Sequence, residues 1–235
     1  SRQADRRTHG QTLMKQKRYA LIVAGGHGLR MGADRPKQFL LLAGLPVLMH
    51  TLNRFAPHVD AIVLVLPTDH HAYWQELCRK YDFSVSHRVV AGGNTRFASV
   101  RNGLQVVPDG VLVAVHDGVR PLVSAETIDA CFDLAELKGA VAPCRPMTES
   151  LRYYATDGNY AVDRSRYVTV QTPQTFRSEW LREAYRQPYE EYFTDDCSVY
   201  EHHFGRPVAL IVGNIENIKL TTPLDLSLAK LLLTS

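Results

Sequence analysis

Residues 24–39 hold the densest chemistry in the chain. Ala24-Gly25-Gly26-His27-Gly28-Leu29-Arg30-Met31-Gly32 follows an apolar run, and Pro36-Lys37-Gln38-Phe39 comes shortly after. Glycines after a buried strand let backbone N–H groups turn towards a phosphate chain. Spacing excludes two phosphate loops. A dinucleotide fingerprint needs Gly-x-Gly-x-x-Gly, and Met31 takes the last place after Gly26 and Gly28. A P-loop needs Gly-x-x-x-x-Gly-Lys, which no register supplies. What remains is a glycine loop with two cations after it, Arg30 and Lys37. That pair suits a triphosphate and the charge that builds up as pyrophosphate leaves.

Two further clusters follow strand-like runs. In Gly92-Gly93-Asn94-Thr95-Arg96-Phe97-Ala98-Ser99-Val100 the glycines allow a close backbone approach, as a base edge would require. Asn94 or Thr95 can cap the helix that follows, and Ser99 lies one turn inside it. The same residues also read as a capped helix after a plain glycine turn. In Val115-His116-Asp117-Gly118-Val119-Arg120-Pro121 an acid leaves a strand, well placed for a phosphate-bound Mg²⁺ or a ribose hydroxyl. Arg120 either pairs with Asp117 structurally or serves the ligand, and His116 reads as a packed histidine. His70-His71 and His202-His203 are adjacent pairs whose rings fall on different helix faces, so they read as no metal site. Lys219 follows a later strand and can approach the same crevice. Asp195 after Thr194 can be a helix cap. The chain has no Gly-x-Ser-x-Gly, and no nucleophile with a base and an orienting acid is identifiable.

The elements that must position these residues are visible as apolar periodicity. Strands are expected over 19–24, 60–66, 85–91, 111–115, 139–142 and 208–212. Helices are expected over 46–55, around 74–81, 97–104, from 124 or 126, near 177–186, near 195–203 and over 223–233. Strands without alternation, separated by helices, predict an α/β, Rossmann-like, mostly parallel sheet with helices on both faces. Residues 148–172 break the pattern with alternation around Thr156-Asp157-Gly158-Asn159, a turn signal for a projecting hairpin. Ligands bind at the carboxyl ends of such strands, where the clusters above fall.

Composition narrows the class. The 235 residues are 45% hydrophobic and 22% charged, which suits one globular domain and excludes collagen, disulfide miniproteins and wholesale disorder. The net charge of +3 is unevenly spread: residues 1–18 carry +5 and the remainder −2. The body is therefore no nucleic-acid binder by charge. Residues 1–18 read as a loose tail or an expression remnant, with Met14 as a candidate original start. Four cysteines without a Cys-x-x-Cys pair predict a reduced, cytoplasmic protein. No run reaches the ~20 residues of a membrane span.

Together the motifs resemble a known family. The loop with Pro36-Lys37-Gln38 is similar to the signature of sugar-nucleotide-type nucleotidyltransferases. Gly92-Gly93-x-x-Arg96-x-x-Ser99-Val100, His116-Asp117-x-x-Arg120-Pro121, Gln171-Thr172-Pro173-Gln174, Thr194-Asp195-Asp196 and Asn217-Ile218-Lys219 narrow it further. Their order, from 19 to 233, resembles the 2-C-methyl-D-erythritol 4-phosphate cytidylyltransferase family of the non-mevalonate isoprenoid pathway. The resemblance implies one nucleotidyltransferase domain over 19–235 that joins CTP and methylerythritol phosphate, releases pyrophosphate and uses Mg²⁺. It implies transition-state stabilisation by Arg30 and Lys37, and cytidine binding by Ala24, Gly25, Gly26, Gly92, Asn94 and Ser99. Asp117 would sit beside ribose and Mg²⁺, in contact through water. Arg120, Ser150, Arg164 and Lys219 would bind the alcohol phosphate. The hairpin, about 148–172, would clasp a second subunit in a homodimer, so that Ser150 and Arg164 serve the partner's site.

Four positions depart from the pattern: Asn94 stands where an acid is common, Glu149 where Asp is usual, and Gly25 and Gly118 where alanine is frequent. The runner-up is D-ribitol-5-phosphate cytidylyltransferase. Pro146-x-x-Glu149-Ser150-Leu151 and Val162-Asp163-Arg164 lean towards methylerythritol phosphate. A nicotinamide oxidoreductase is disfavoured by the loop spacing, and a non-catalytic nucleotide-binding module by the presence of both Arg30 and Lys37.

Overall fold

The computed structural model describes residues 15–25 and 35–235. Gly26 and Arg30 therefore lie outside the described residues. In chain order the elements are β1 (Arg18–Val23), β2 (Leu41–Leu42), β3 (Leu45–Pro46), α1 (Val47–Phe55), β4 (Ala61–Leu66), α2 (His71–Lys80) and β5 (Arg88–Ala91). There follow α3 (Arg96–Leu104), β6 (Leu112–Asp117), α4 (Ala125–Lys138), β7 (Ala140–Pro146), β8 (Leu151–Ala155) and β9 (Gly158–Val162). The chain closes with β10 (Val168–Val170), β11 (Gln174–Arg177), α5 (Ser178–Ala184), α6 (Asp196–Phe204), β12 (Ala209–Val212) and α7 (Pro223–Thr234).

The main sheet has eight strands. β5, β4, β1 and β6 lie side by side in parallel. β11 then runs antiparallel between β6 and β7. Val141 pairs with Thr175 on one side and Ala209 on the other, so β12 is the parallel outer neighbour of β7. Alternate strand residues feed two cores. Ala20, Ile22, Leu64 and Ala114 meet α1, α2 and α4, while Leu21, Val63, Val113 and Phe176 meet α3, α5 and α6. Burial on both faces is why β1, β4 and β6 read as unbroken apolar runs.

Local chemistry starts and stops the helices. Thr95 and Ser124 accept from backbone N–H groups three residues on, opening α3 and α4. α4 ends at Gly139 with φ +82, where a Cβ would fall 2.1 Å from the Trp180 ring, so both backbone and space require glycine. All four cysteines are free thiols. Among the described residues no helix is long and apolar enough to cross a membrane.

Four expectations change. β6 runs to Asp117, carrying His116 and Asp117 into the strand itself. β5 is shorter than the 85–91 run. The hairpin proper is β8–β9, closed by Thr156 and Asp157; it does not extend to 172. Residues after it make a short 3₁₀ turn, Arg164–Arg166, and return as β10 to pair with β7. Arg18, placed at the end of the tail, is the first residue of β1, with its guanidinium on Asp129 and Asp133.

Candidate active site

The carboxyl ends of β1, β5 and β6 open into one cleft. It is lined by Ala24 and Gly25 after β1, Lys37 and Gln38, Gly93 to Arg96 and Ser99 around the start of α3, Asp117 at the end of β6, and Lys219. A second compartment adjoins it and shares Arg96, Asp117 and Lys219. Its own walls are Arg120, Gln171, Thr172, Gln174, Thr194 and Asp195.

Each wall has a local cause. Gln38 is buried and donates to the Ala24 carbonyl at 3.2 Å. Phe39 packs edge-on against His70 and Tyr73. These anchors hold the 3₁₀ turn Lys37–Phe39 so that Lys37 faces the cleft. Thr95, rather than Asn94, caps α3, which leaves the Asn94 side chain for the cleft. Ser99 is buried and accepts the Gly93 N–H at 3.0 Å. A Cβ on Gly93 would fall 2.5 Å from that of Ala98, so only glycine lets the loop lie this close to α3.

Asp117 is the electrostatic centre. Oδ1 accepts from Arg96 Nε at 3.3 Å and Oδ2 from Arg120 Nε at 3.2 Å, while Lys219 Nζ stands 3.7 Å from Oδ2. Burial works against its charge, but Arg96, Lys219 and Arg120 outweigh burial and hold the carboxyl well below the usual carboxylate range. Arg120 also donates to the Asn217 carbonyl at 2.9 Å. The pairing of Arg120 with Asp117 is thus real, and Arg120 still lines the second compartment.

His116 is a packed histidine, as its setting in the sequence implied. Nε2 donates to the Arg120 carbonyl at 2.9 Å, and Nδ1 accepts the Thr172 hydroxyl at 2.9 Å. The carbonyl can only accept, which fixes the neutral Nε2–H tautomer. Burial is the main cause that lowers its pKa from 6.5 to about 4. The folded protein therefore resists a proton that the unfolded chain accepts. Stability is fully present above pH 6.5 and falls as pH drops towards 4, by up to about 1.4 kcal/mol per pH unit. Urea titrations at pH 7, 6 and 5 should show that slope, and His116→Gln should flatten it. An equal slope in the variant would assign the pH dependence elsewhere.

The structure gathers Ala24, Gly25, Lys37, Asn94, Ser99, Asp117, Arg120 and Lys219 around the two compartments, with Gly92 beside them, its N–H on the Leu66 carbonyl. Ser150 and Arg164 line neither compartment. Ser150 is exposed, and Arg164 donates to the Thr148 carbonyl at the base of the arm. Sequence reading gave no role to Arg96, Asp196 or Tyr185, which are linked with Asp117 in one network; Asp196 and Tyr185 are buried. The family-like motifs that contain Arg96 and Thr194-Asp195-Asp196 were the available signal.

Comparison with known proteins now bears on this geometry. The sequence pattern of the family described as IspD, 2-C-methyl-D-erythritol 4-phosphate cytidylyltransferase, matches residues 19–235. The chain belongs to the IspD family. A Bacteroides thetaiotaomicron protein named 2-C-methyl-D-erythritol 4-phosphate cytidylyltransferase is 51% identical over 220 residues, covering 92% of this chain and all of that one. The enzyme of the same name from Phocaeicola vulgatus is 50% identical over 218 residues, covering 92% of this chain and 99% of its own. The crystal structure of the Thermus thermophilus enzyme of that name superposes with a TM-score of 0.77. It is 31% identical and covers 94% of this chain and all of that one. IspD membership does not favour the ribitol phosphate alternative. For an IspD chain the paired compartments gain a meaning, since the reaction of that family joins two substrates.

Proposed function

We propose that the cleft transfers the cytidylyl group of CTP to 2-C-methyl-D-erythritol 4-phosphate, with CTP in the first compartment and the alcohol phosphate in the second. The observation that carries this division is the seam of Arg96, Asp117 and Lys219 common to both compartments. A direct transfer needs the acceptor phosphate beside the α-phosphate of the nucleotide.

The acceptor phosphate is its own nucleophile. Its second pKa is about 6, so it is mostly dianionic at neutral pH and needs no general base. His116 supplies none, because both its nitrogens are engaged. An acceptor oxygen attacks the α-phosphorus, the bond to the bridging oxygen breaks, and pyrophosphate leaves with that electron pair. Lys37, and Arg30 outside the described residues, offset the charge that accumulates.

Enzymes of this reaction class use divalent cations, and the residues present fit Mg²⁺ in one way. Among the described residues no cluster of three or more His, Cys, Asp or Glu could hold a metal. Asp117 is already ringed by three cations, which disfavours direct ligation. Its oxygens keep lone pairs for a metal-bound water, as Mg²⁺ retains waters while riding on substrate phosphates. When bound, the cation supplies positive charge to the phosphate oxygens.

The assembly is a homodimer through the arm. Tyr153, Tyr154 and Tyr160 on β8–β9 are exposed, and Tyr153 stacks on Tyr160. Among the described residues Ser150 and Arg164 line neither compartment of their own chain, which supports a role in the partner's.

Product analysis by ³¹P NMR tests the transfer: CTP, methylerythritol phosphate and Mg²⁺ should give an asymmetric diphosphate diester and free pyrophosphate in equal amounts. Formation of CMP alone would contradict it. Lys219→Ala tests the compartments. It removes a charged contact worth about 1.5–3 kcal/mol, so KM for the alcohol phosphate should rise roughly tenfold or more. CTP affinity by calorimetry should stay nearly unchanged, and a large loss there would place Lys219 on the nucleotide.

A further inference from the structure

Asp196 has no part in the chemistry above, yet it fixes a residue at the seam. It is the first residue of α6 and fully buried. Its Oδ1 and Oδ2 accept from Arg96 Nη1 at 3.1 Å and Nη2 at 2.9 Å. Oδ1 also accepts the Tyr185 hydroxyl at 2.5 Å. Two parallel bonds to a planar guanidinium set its direction as well as its distance. The start of α6 is itself tied down. Asp195 caps it, and Gln174 of β11 bridges Asp195 Oδ2 and the Cys197 N–H.

With its fork held by Asp196, Arg96 offers Nε to Asp117 and takes only Oδ1. Oδ2 is left to Arg120, at 3.2 Å, and Lys219 stands further off at 3.7 Å with its side chain nearly half exposed. The three cations are thus graded from fixed to loose, and Lys219 is the one able to leave for an incoming phosphate. Freed from Asp196, the Arg96 fork could take both oxygens of Asp117 and displace Arg120.

We propose that Asp196, locked by Tyr185, is a positioning residue for the alcohol phosphate. By orienting Arg96 it divides the Asp117 carboxylate and so sets where Arg120 and Lys219 meet the acceptor. Asp196 lines neither compartment and acts only through Arg96. This rests on the assignment of the second compartment to the alcohol phosphate.

The test compares Asp196→Asn, Tyr185→Phe, Arg96→Lys and the double variant of Asp196→Asn with Arg96→Lys. Active sites are counted by CTP binding, and kcat and both KM values are measured. Asp196→Asn should raise KM for the alcohol phosphate about tenfold, the scale of a charged hydrogen bond, with the CTP dissociation constant within about threefold. Tyr185→Phe, which keeps its packing on Phe97, should move the same KM by about threefold. It carries the test if Asp196→Asn does not fold. The double variant should be no worse than Arg96→Lys alone, because residues acting in series are not additive. Unchanged KM in folded Asp196→Asn or Tyr185→Phe, or additive losses in the double variant, would overturn the positioning role. If Arg96→Lys instead raises KM for CTP and spares the alcohol phosphate, the compartment assignment is what fails.

Discussion

Lys37→Ala should lower kcat by roughly a hundredfold or more, the scale of losing one preorganised donor to transition-state charge. The turn that carries Lys37 is anchored by Gln38 on the Ala24 carbonyl and by Phe39 against Tyr73 and Trp74. None of these anchors uses the ammonium group. The packing that seats the turn should therefore survive, and the loss should be read in kcat on protein shown to be folded by its thermal melt. Arg30→Ala should show a loss of similar scale, on the strength of its place after the glycine loop. Steady-state kinetics on both variants check this, and near-normal turnover in either would remove that residue from the chemistry.

Mixing two inactive variants should restore activity. Arg164→Ala and Lys37→Ala, each nearly inactive when refolded alone, are unfolded and refolded together in equal amounts. Random pairing makes about half of the dimers mixed. In each mixed dimer one site has both defects and the other has none, so about a quarter of all sites are intact. Activity should return to about that fraction of wild type. The motive is geometric: Arg164 bonds to the Thr148 carbonyl at the base of a projecting arm and lines neither compartment of its own chain. No recovery, with mixed dimers shown by native mass spectrometry, would place Arg164 in its own subunit's site.

The parallel half of the sheet was legible because β1, β4 and β6 are buried on both faces and spell apolar runs. The first compartment was legible for a related reason. Its residues lie at the carboxyl ends of strands, so Ala24 is located by the end of β1, Gly92 by the end of β5 and Asp117 as the last residue of β6. β11 was not legible. Its residues Gln174 and Thr175 are polar yet fully buried, with Gln174 satisfied by the Gln171 carbonyl, Asp195 and the Cys197 N–H. A periodicity of apolar residues cannot register such a strand. The arm was over-extended for the opposite reason: alternation continues to Val170, but β10 alternates against β7 rather than against β8. The pairing of Arg96 with Asp196 joins residues a hundred positions apart. α5 packs against both α3 and α6, which brings the start of α6 to the start of α3, and no spacing rule reports that.

A pyrophosphate-release assay crossing CTP, UTP and ATP with 2-C-methyl-D-erythritol 4-phosphate and D-ribitol 5-phosphate, in the presence of Mg²⁺, reads whether this cleft joins one nucleotide to one alcohol phosphate. Release should be fastest by far for CTP with methylerythritol phosphate, and should need both substrates together. Equal or faster release with ribitol phosphate, or with CTP alone, would show that the cleft does not make that pairing.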